Sequence, residues 1–524
     1  MTTVVAIDAG TTGVRALAVD EQAQVTDVVY RELTQHFPRP GWVEHDPDEI
    51  WGAVRATLAE LGTRLAETNK AVAAIGITNQ RETLVAFDRT TGRPLHRAIV
   101  WQDRRTADMC EALRAAGHLP LVRARTGLVL DPYFSATKAA WLLREGDLAL
   151  APDDPSLSFC TVDTWVLWNL TGGIHGGVYA TDPSNASRTL LLDTATLAWS
   201  PELCELFGVP PHSLPEVRPS AGRYGSAVLP DIGQEAAAAL DGVPVSAILG
   251  DQQAALFGQA CIDPGMVKVT YGTGSFALAN AGPERPPAPE GLVVSCAWDL
   301  GAHADPVRGR VAYALEGSTF VSGAAIQWLR DGLGIIGAAS DMGPLAASVP
   351  DSGGVTFVPA LTGLGSPWWD PDARGIITGL TRGAGRAQLA RACVEAMAFQ
   401  VRDMTDAMSA VMATASAPSL SALRADGGAA AMDLLLDLQA EQSRMPVARP
   451  RALESTALGA ATMAGLAAGV WSSLDELARL WEADTVFEPR LPAELADATY
   501  ANWRRTVEKA TGWAAQQEVS PKKK

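Results

Sequence analysis

The sequence predicts an α/β protein of two large domains, and three observations carry that expectation. At 524 residues the chain exceeds what one hydrophobic core usually supports, while 47% hydrophobic residues suffice to bury two. Each half opens with strand-like residues that give way to helical stretches. Near the start of each half an apolar strand runs into a glycine-threonine turn: Asp8-Ala9-Gly10-Thr11-Thr12-Gly13 after residues 4–7, and Tyr271-Gly272-Thr273-Gly274-Ser275 after residues 266–270. Such turns offer backbone N–H groups and hydroxyls to an anion, because glycine lets phosphate oxygens approach the main chain. Two of them can clamp one polyphosphate.

Taken in order, strands at 4–8 and 14–20 form a hairpin joined by the first turn. A helix begins near Asp46-Pro47-Asp48-Glu49, where Asp46 can cap and Pro47 suits the first turn. A strand at 72–78 ends at Asn79-Gln80-Arg81-Glu82, with 84–88 expected as its hairpin partner ahead of Thr91-Gly92. The Pro/Asp-rich stretch 151–156 and the proline-rich stretch 282–291 read as surface loops. The apolar strand 245–249 leads into Gly250-Asp251-Gln252-Gln253 and a helix over 254–260, a polar cluster at a strand's C-terminal end, where α/β folds place chemistry. The domain boundary is expected here, dividing the chain into 1–253 and 254–524. A strand at 422–426 ends at Gly427-Gly428 and gives way to a helical stretch from 429, a third glycine turn able to approach a nucleotide. The apolar run 457–471 is shorter than the roughly 20 residues a bilayer span needs and is rich in Gly and Ala. It predicts a buried, closely packed helix.

Composition excludes several classes. A formal charge of −17 disfavours nucleic acid or an anionic membrane as partner, and Lys522-Lys523-Lys524 reads as a solvated tail. Six cysteines are spread singly, with no Cys-x-x-Cys pair to suggest zinc or a redox couple. The N-terminus lacks a basic leader and enters a core strand at once, which predicts a cytoplasmic protein. No Gly-Lys dipeptide exists, so a Walker-type phosphate loop is excluded.

On residue types alone, Asp251 reads either as a general base at a strand end or as a helix N-cap. Asp8, closing the first strand, reads either as a turn aspartate or as a metal ligand. Arg81 and Glu82 supply adjacent donor and acceptor groups, fit for vicinal hydroxyls or for a surface ion pair.

The chain resembles the FGGY carbohydrate kinase family over nearly its whole length, most closely the members that act on glycerol. The resemblance rests on Asp8-Ala9-Gly10-Thr11-Thr12, Pro40-Gly41-Trp42-Val43-Glu44-His45-Asp46-Pro47, Gly76-Ile77-Thr78-Asn79-Gln80-Arg81-Glu82-Thr83, Ile99-Val100-Trp101-Gln102-Asp103-Arg104-Arg105, and Asp131-Pro132-Tyr133-Phe134-Ser135. Downstream it continues through Gly250-Asp251-Gln252-Gln253, Tyr271-Gly272-Thr273-Gly274, Ala314-Leu315-Glu316-Gly317 and Ala360-Leu361-Thr362-Gly363-Leu364-Gly365. It implies two actin-like ATPase (ribonuclease H-like) domains, each with a mixed five-stranded sheet, and an active-site cleft between them. It implies ATP-dependent phosphorylation of glycerol to sn-glycerol 3-phosphate, with Asp251 as base and Asp8 holding Mg2+ through water. Arg81, Glu82, Trp101, Tyr133, Gln252 and Phe276 would bind the acceptor. Thr11, Thr12, Gly13, Arg15, Thr273 and Gly274 would face the phosphates, with Gly323, Gln327, Gly427, Gly428 and Met432 near the nucleoside. By analogy the protein would be a homodimer or homotetramer.

The chain also departs from the family. Ala9 replaces a usual Gln, Gly13-Val14 replaces a hydroxyl-bearing pair, and Met432 replaces an Asn. All of these lie in the nucleotide half, which puts nucleotide affinity rather than acceptor class in question. The stretch Val228-Leu229-Pro230-Asp231-Ile232-Gly233-Gln234-Glu235 is acidic, against the basic loop through which some relatives are inhibited by fructose 1,6-bisphosphate, so no such inhibition is expected. Two alternatives stand beside glycerol phosphorylation: a kinase for another short polyol or ketose, and a nucleotide-dependent regulatory protein with weakened catalysis.

Overall fold

The computed structural model describes residues 2–518 except positions 69, 416 and 453, and the Lys522-Lys523-Lys524 tail lies outside the described residues. Two large mixed sheets dominate it. The first contains β1 (Thr2–Ala9), β2 (Gly13–Asp20), β3 (Val25–Glu32), β4 (Ala71–Asn79), β5 (Ala221–Ser226) and β6 (Pro244–Gly250), in the spatial order β5-β6-β4-β1-β2-β3. The second contains β7 (Met266–Tyr271), β8 (Ser275–Gly282), β9 (Val293–Asp299), β10 (Val311–Thr319), β11 (Ala422–Asp426), β12 (Val447–Pro450) and β13 (Ala483–Phe487), in the order β9-β10-β8-β7-β11-β12-β13.

The two sheets share one plan. In the first, β1 pairs antiparallel with β2, which pairs antiparallel with β3, while β1, β4 and β6 run parallel. In the second, β7-β8-β10 repeats the antiparallel half and β7-β11-β12 the parallel half. The expectation of five strands per sheet therefore holds for these shared cores but not for the sheets, which have six and seven strands. The additions β5, β9 and β13 each join antiparallel at an edge, covering backbone N–H and C=O groups left unpaired there.

A second expectation fails at residues 84–88. The strand Leu84–Asp88 does not pair with β4; it pairs with Leu157–Thr161 in a separate four-stranded sheet. The cause is local: Glu82 adopts a φ of 61° and turns the chain out of the first sheet before a hairpin can close.

The helix start expected at Asp46-Pro47 is met. In α1 (Pro47–Thr68) Asp46 Oδ1 accepts from the N–H of Asp48 at 2.9 Å, and Ile50, Val54, Leu58, Leu61 and Leu65 bury one stripe of the helix. Helix α2 (Asp251–Gly258) begins three residues earlier than expected, with Gly250 as its N-cap residue. Further on lie α3 (Gly323–Asp331), α4 (Arg386–Thr414), which packs on β8 and β10, α5 (Asp433–Ser443) and α6 (Ser455–Ala467). Although α6 comes late in the chain, it packs against α2, β1 and β4 of the first sheet. A Cβ on Gly459 would stand 1.8 Å from the Ala254 carbonyl oxygen, and one on Gly258 would stand 2.0 Å from that of Ser455. The glycine- and alanine-rich run is thus the closely packed helix expected.

All six cysteines are free and buried. Among the described residues no helix is long and apolar enough to cross a membrane.

Candidate functional site

Two cavities meet at the second glycine-threonine turn. The first, about 600 Å³, is walled by Thr11, Thr12, Trp101 and Tyr133 from the N-terminal half and by Thr273, Gly274, Phe276 and Glu316 from the C-terminal half. The second, about 760 Å³, lies wholly in the C-terminal half and is lined by Gly323, Gln327, Gly428 and Met432 among others. Thr273 lines both. A ligand extended from one cavity to the other must pass that turn.

The first turn is tight, with the Gly10 N–H donating to the Gly13 carbonyl at 3.0 Å. The Trp101 indole N–H donates to Thr11 Oγ1 at 2.9 Å and its ring meets Tyr133 edge-on at 5.5 Å, so the apolar wall of the first cavity is fastened to the phosphate-type turn. Asp8 lies opposite Arg15 in the β1–β2 register, and Arg15 Nη1 stands 3.5 Å from Asp8 Oδ2. Burial pushes the Asp8 carboxyl up to about 7 against the pull of Arg15, with Asp251 and Glu454 adding repulsion. Asp251 is therefore its neighbour across the site.

The side chain of Asp251 makes no cap for α2. Its Oδ1 accepts from the Gln252 N–H at 2.7 Å and lies 3.0 Å from Arg81 Nε, and 30% of the side chain stays exposed. Burial raises its carboxyl above the ordinary range, while Arg81 and Lys268 oppose the rise. Gln252 in turn accepts from Lys268 Nζ at 2.6 Å.

Arg81 and Glu82 differ from the expected wall of the acceptor pocket. They are 2% and 1% exposed and reach the first cavity through Arg188 and Glu316, which line it. Glu316, on β10, accepts from Arg81 Nη1 at 2.9 Å and Nη2 at 3.1 Å and pairs with Arg188 Nη1 at 3.1 Å. Arg188 Nε donates to Glu82 Oε1 at 2.6 Å. Although burial works to raise it, the two arginines hold the Glu316 carboxyl at about 2. This buried four-residue network joins the halves directly beneath the cavity.

Other expected site residues fall apart from the cavity walls. Gly427, at a φ of 88°, packs on the Tyr271 backbone, where a Cβ would come within 2.5 Å of the Tyr271 carbonyl oxygen. Gly13 and Arg15 lie beside the first turn without lining either cavity, and Arg15 also faces Glu454 at 3.6 Å.

Sequence reasoning assigned no role to Glu316, Lys268 or Arg188. A charged residue inside an apolar strand was a usable signal for Glu316, in Ala314-Leu315-Glu316-Gly317, and for Lys268, in Met266-Val267-Lys268-Val269. Arg188 sits in an irregular segment after the short helix Pro183–Ala186, where no periodicity marks it.

Against known proteins, the family model described as "FGGY family of carbohydrate kinases, N-terminal domain" matches residues 3–258, and its C-terminal counterpart matches residues 267–468. A protein named glycerol kinase from Symbiobacterium thermophilum is 49% identical over 98% of this chain and 99% of its own length. Another of that name, from Thermus brockianus, is 51% identical over 97% of this chain and 98% of its own. The crystal structure of Plasmodium falciparum glycerol kinase with ADP superposes with a TM-score of 0.90 at 32% identity, covering 97% of this chain and 98% of that one.

Proposed function

We propose, from the premise that the chain belongs to the FGGY family of carbohydrate kinases, that it transfers the γ-phosphoryl group of ATP to a terminal hydroxyl of glycerol, giving sn-glycerol 3-phosphate. The observation that carries the transfer is Thr273, which lines both cavities, so that a triphosphate seated in one points its terminus at an acceptor in the other. Glycerol as acceptor is supported by the names of relatives at 49% and 51% identity over nearly the full chain.

In this reading the acceptor lies against Trp101, Tyr133 and Phe276, with Gln252 as a polar partner and Arg81 and Glu82 acting through Arg188 and Glu316. Arg81 Nε, which has no well-aligned acceptor among the described residues, holds Asp251 by charge. Asp251 then takes the hydroxyl proton as the oxygen attacks phosphorus. Thr11, Thr12, Gly13 and Arg15 face the phosphates from one side, Thr273 and Gly274 from the other. Gly323, Gln327, Gly428 and Met432 surround the nucleoside, with Gly427 shaping the turn behind them.

Asp8 would hold Mg2+ through water, and the ion when bound would offset phosphate charge. Its carboxylate fits that duty: it is buried beside Asp251 and Glu454 with one arginine partner, an environment short of positive charge. We infer further a cytoplasmic enzyme and, by analogy with the family, a homodimer or homotetramer.

The test is ADP release over glycerol, dihydroxyacetone, erythritol and xylulose, repeated with Asp251→Asn. Glycerol turnover abolished by the substitution supports the reading. Turnover of another acceptor in its place, or ATP binding without any turnover, would refute it.

A further inference from the structure

We propose that Tyr30 is a phosphate-binding residue of the first turn, its hydroxyl standing where a side chain at position 13 would otherwise reach the nucleotide. The inference deepens the kinase reading and rests on it for the nature of the ligand.

Asp8, Arg15 and Tyr30 are consecutive cross-strand partners on β1, β2 and β3, so all three share one face of the sheet. Gly13, two residues before Arg15, belongs to that face as well. There is no room for a side chain on it: a Cβ would stand 2.4 Å from both Cε2 and the hydroxyl oxygen of Tyr30, and 2.5 Å from the Arg31 carbonyl oxygen. The tyrosine has filled the space, and the polar end of its ring occupies the position of the missing substituent. The Arg15 guanidinium lies over that ring at 5.0 Å, which fixes the ring beside the cation already assigned to the phosphates.

The hydroxyl donates to the Thr12 carbonyl at 3.1 Å, at the tip of the turn itself. That carbonyl also accepts from the Leu33 N–H at 3.0 Å, so it keeps a partner when the phenol turns its proton toward a phosphate oxygen. Rotation about the C–O bond is all the change requires, and Tyr30 is 37% exposed, open to a ligand entering from solvent. The glycine at 13 and the tyrosine at 30 thus form one unit: a small residue admits a hydroxyl from the neighbouring strand in place of one of its own.

The experiment is calorimetric titration of the full-length protein with the magnesium complex of the non-hydrolysable β,γ-imido analogue of ATP and, separately, with AMP. Neither arm depends on which acceptor is phosphorylated, so failure of the glycerol reading and failure of this inference are distinguishable. Tyr30→Phe is expected to weaken the triphosphate analogue by roughly tenfold, the scale of a hydrogen bond to a charged group, with AMP within about twofold of the parent. Unchanged triphosphate affinity in Tyr30→Phe, or a parallel loss for AMP and triphosphate, would overturn the proposal.

Discussion

Asp8, near the end of β1, and Asp251, just past the end of β6, stand on either side of β4 at the same end of one sheet, and their closeness dictates how the site responds to protons. Burial holds Asp8 near 7 rather than at its ordinary 3.8, and it raises Asp251 as well, so each carboxylate is costly to ionise beside the other. Because the raised group favours the proton in the folded state, its ionisation weakens the fold progressively as pH climbs from 3.8 through about 7. Function needs the opposite charge state. The expected outcome is that kcat/KM for ATP falls as pH is lowered through about 7, and that Asp8→Asn loses activity while melting higher than the parent at pH 8, read by calorimetry alongside the rate. Asp251→Asn, which removes the proposed proton acceptor, is expected to lower kcat by about 10²–10⁴-fold with ADP binding retained. Both carboxylates stood out in the sequence because each lies at the end of an apolar strand, Asp8 ahead of the Gly10 turn and Asp251 directly after Gly250. Arg188 was not, since only tertiary folding brings it 2.6 Å from Glu82, 106 positions away.

Among the elements, the crossing of α2 and α6 does most to set the position of Asp251, which opens α2. The two helices approach at Gly258 and Gly459 so closely that backbone touches backbone, and α6 continues onto β1 and β4, the strands that carry Asp8 and Arg81 toward the site. The glycine-alanine run announced a tightly packed helix, but nothing in its pattern said which sheet it would cover. Partner choice is a tertiary fact, as is the failure of 84–88 to form a hairpin with β4, which hangs on the left-handed backbone of Glu82. Gly459→Val has no space beside the Ala254 carbonyl and is expected to destabilise the protein by about 3 kcal/mol or more, seen as a lower urea midpoint. Where the protein still folds, kcat is expected to fall further than ADP affinity, because the displaced helix begins with Asp251, the proposed base, rather than with a proposed nucleotide contact.

At the scale of the whole molecule, chain length predicted two domains and the family resemblance implied a cleft between them, but neither said what fastens the halves. One fastening, beside the packing of α6 on the first sheet, is Glu316, a C-terminal carboxylate held by Arg81 and Arg188 from the other half, with Glu82 closing the network. Two buried guanidinium groups without it would face only Glu82 and Asp251, and an uncompensated buried charge costs far more than an intact pair contributes. Glu316→Gln preserves shape and removes the charge, and is expected to lower stability by about 3–5 kcal/mol at pH 7. The pH dependence separates this from a packing defect. The Glu316 carboxyl is held at about 2 against an ordinary 4.5, so its contribution is complete above 4.5 and disappears as pH falls toward 2. Urea midpoints of parent and variant should therefore differ most at neutral pH and converge steadily below pH 4.5. A gap of constant size from pH 7 down to pH 3 would show that Glu316 acts by packing alone, and that the lobes are held by something other than this charge.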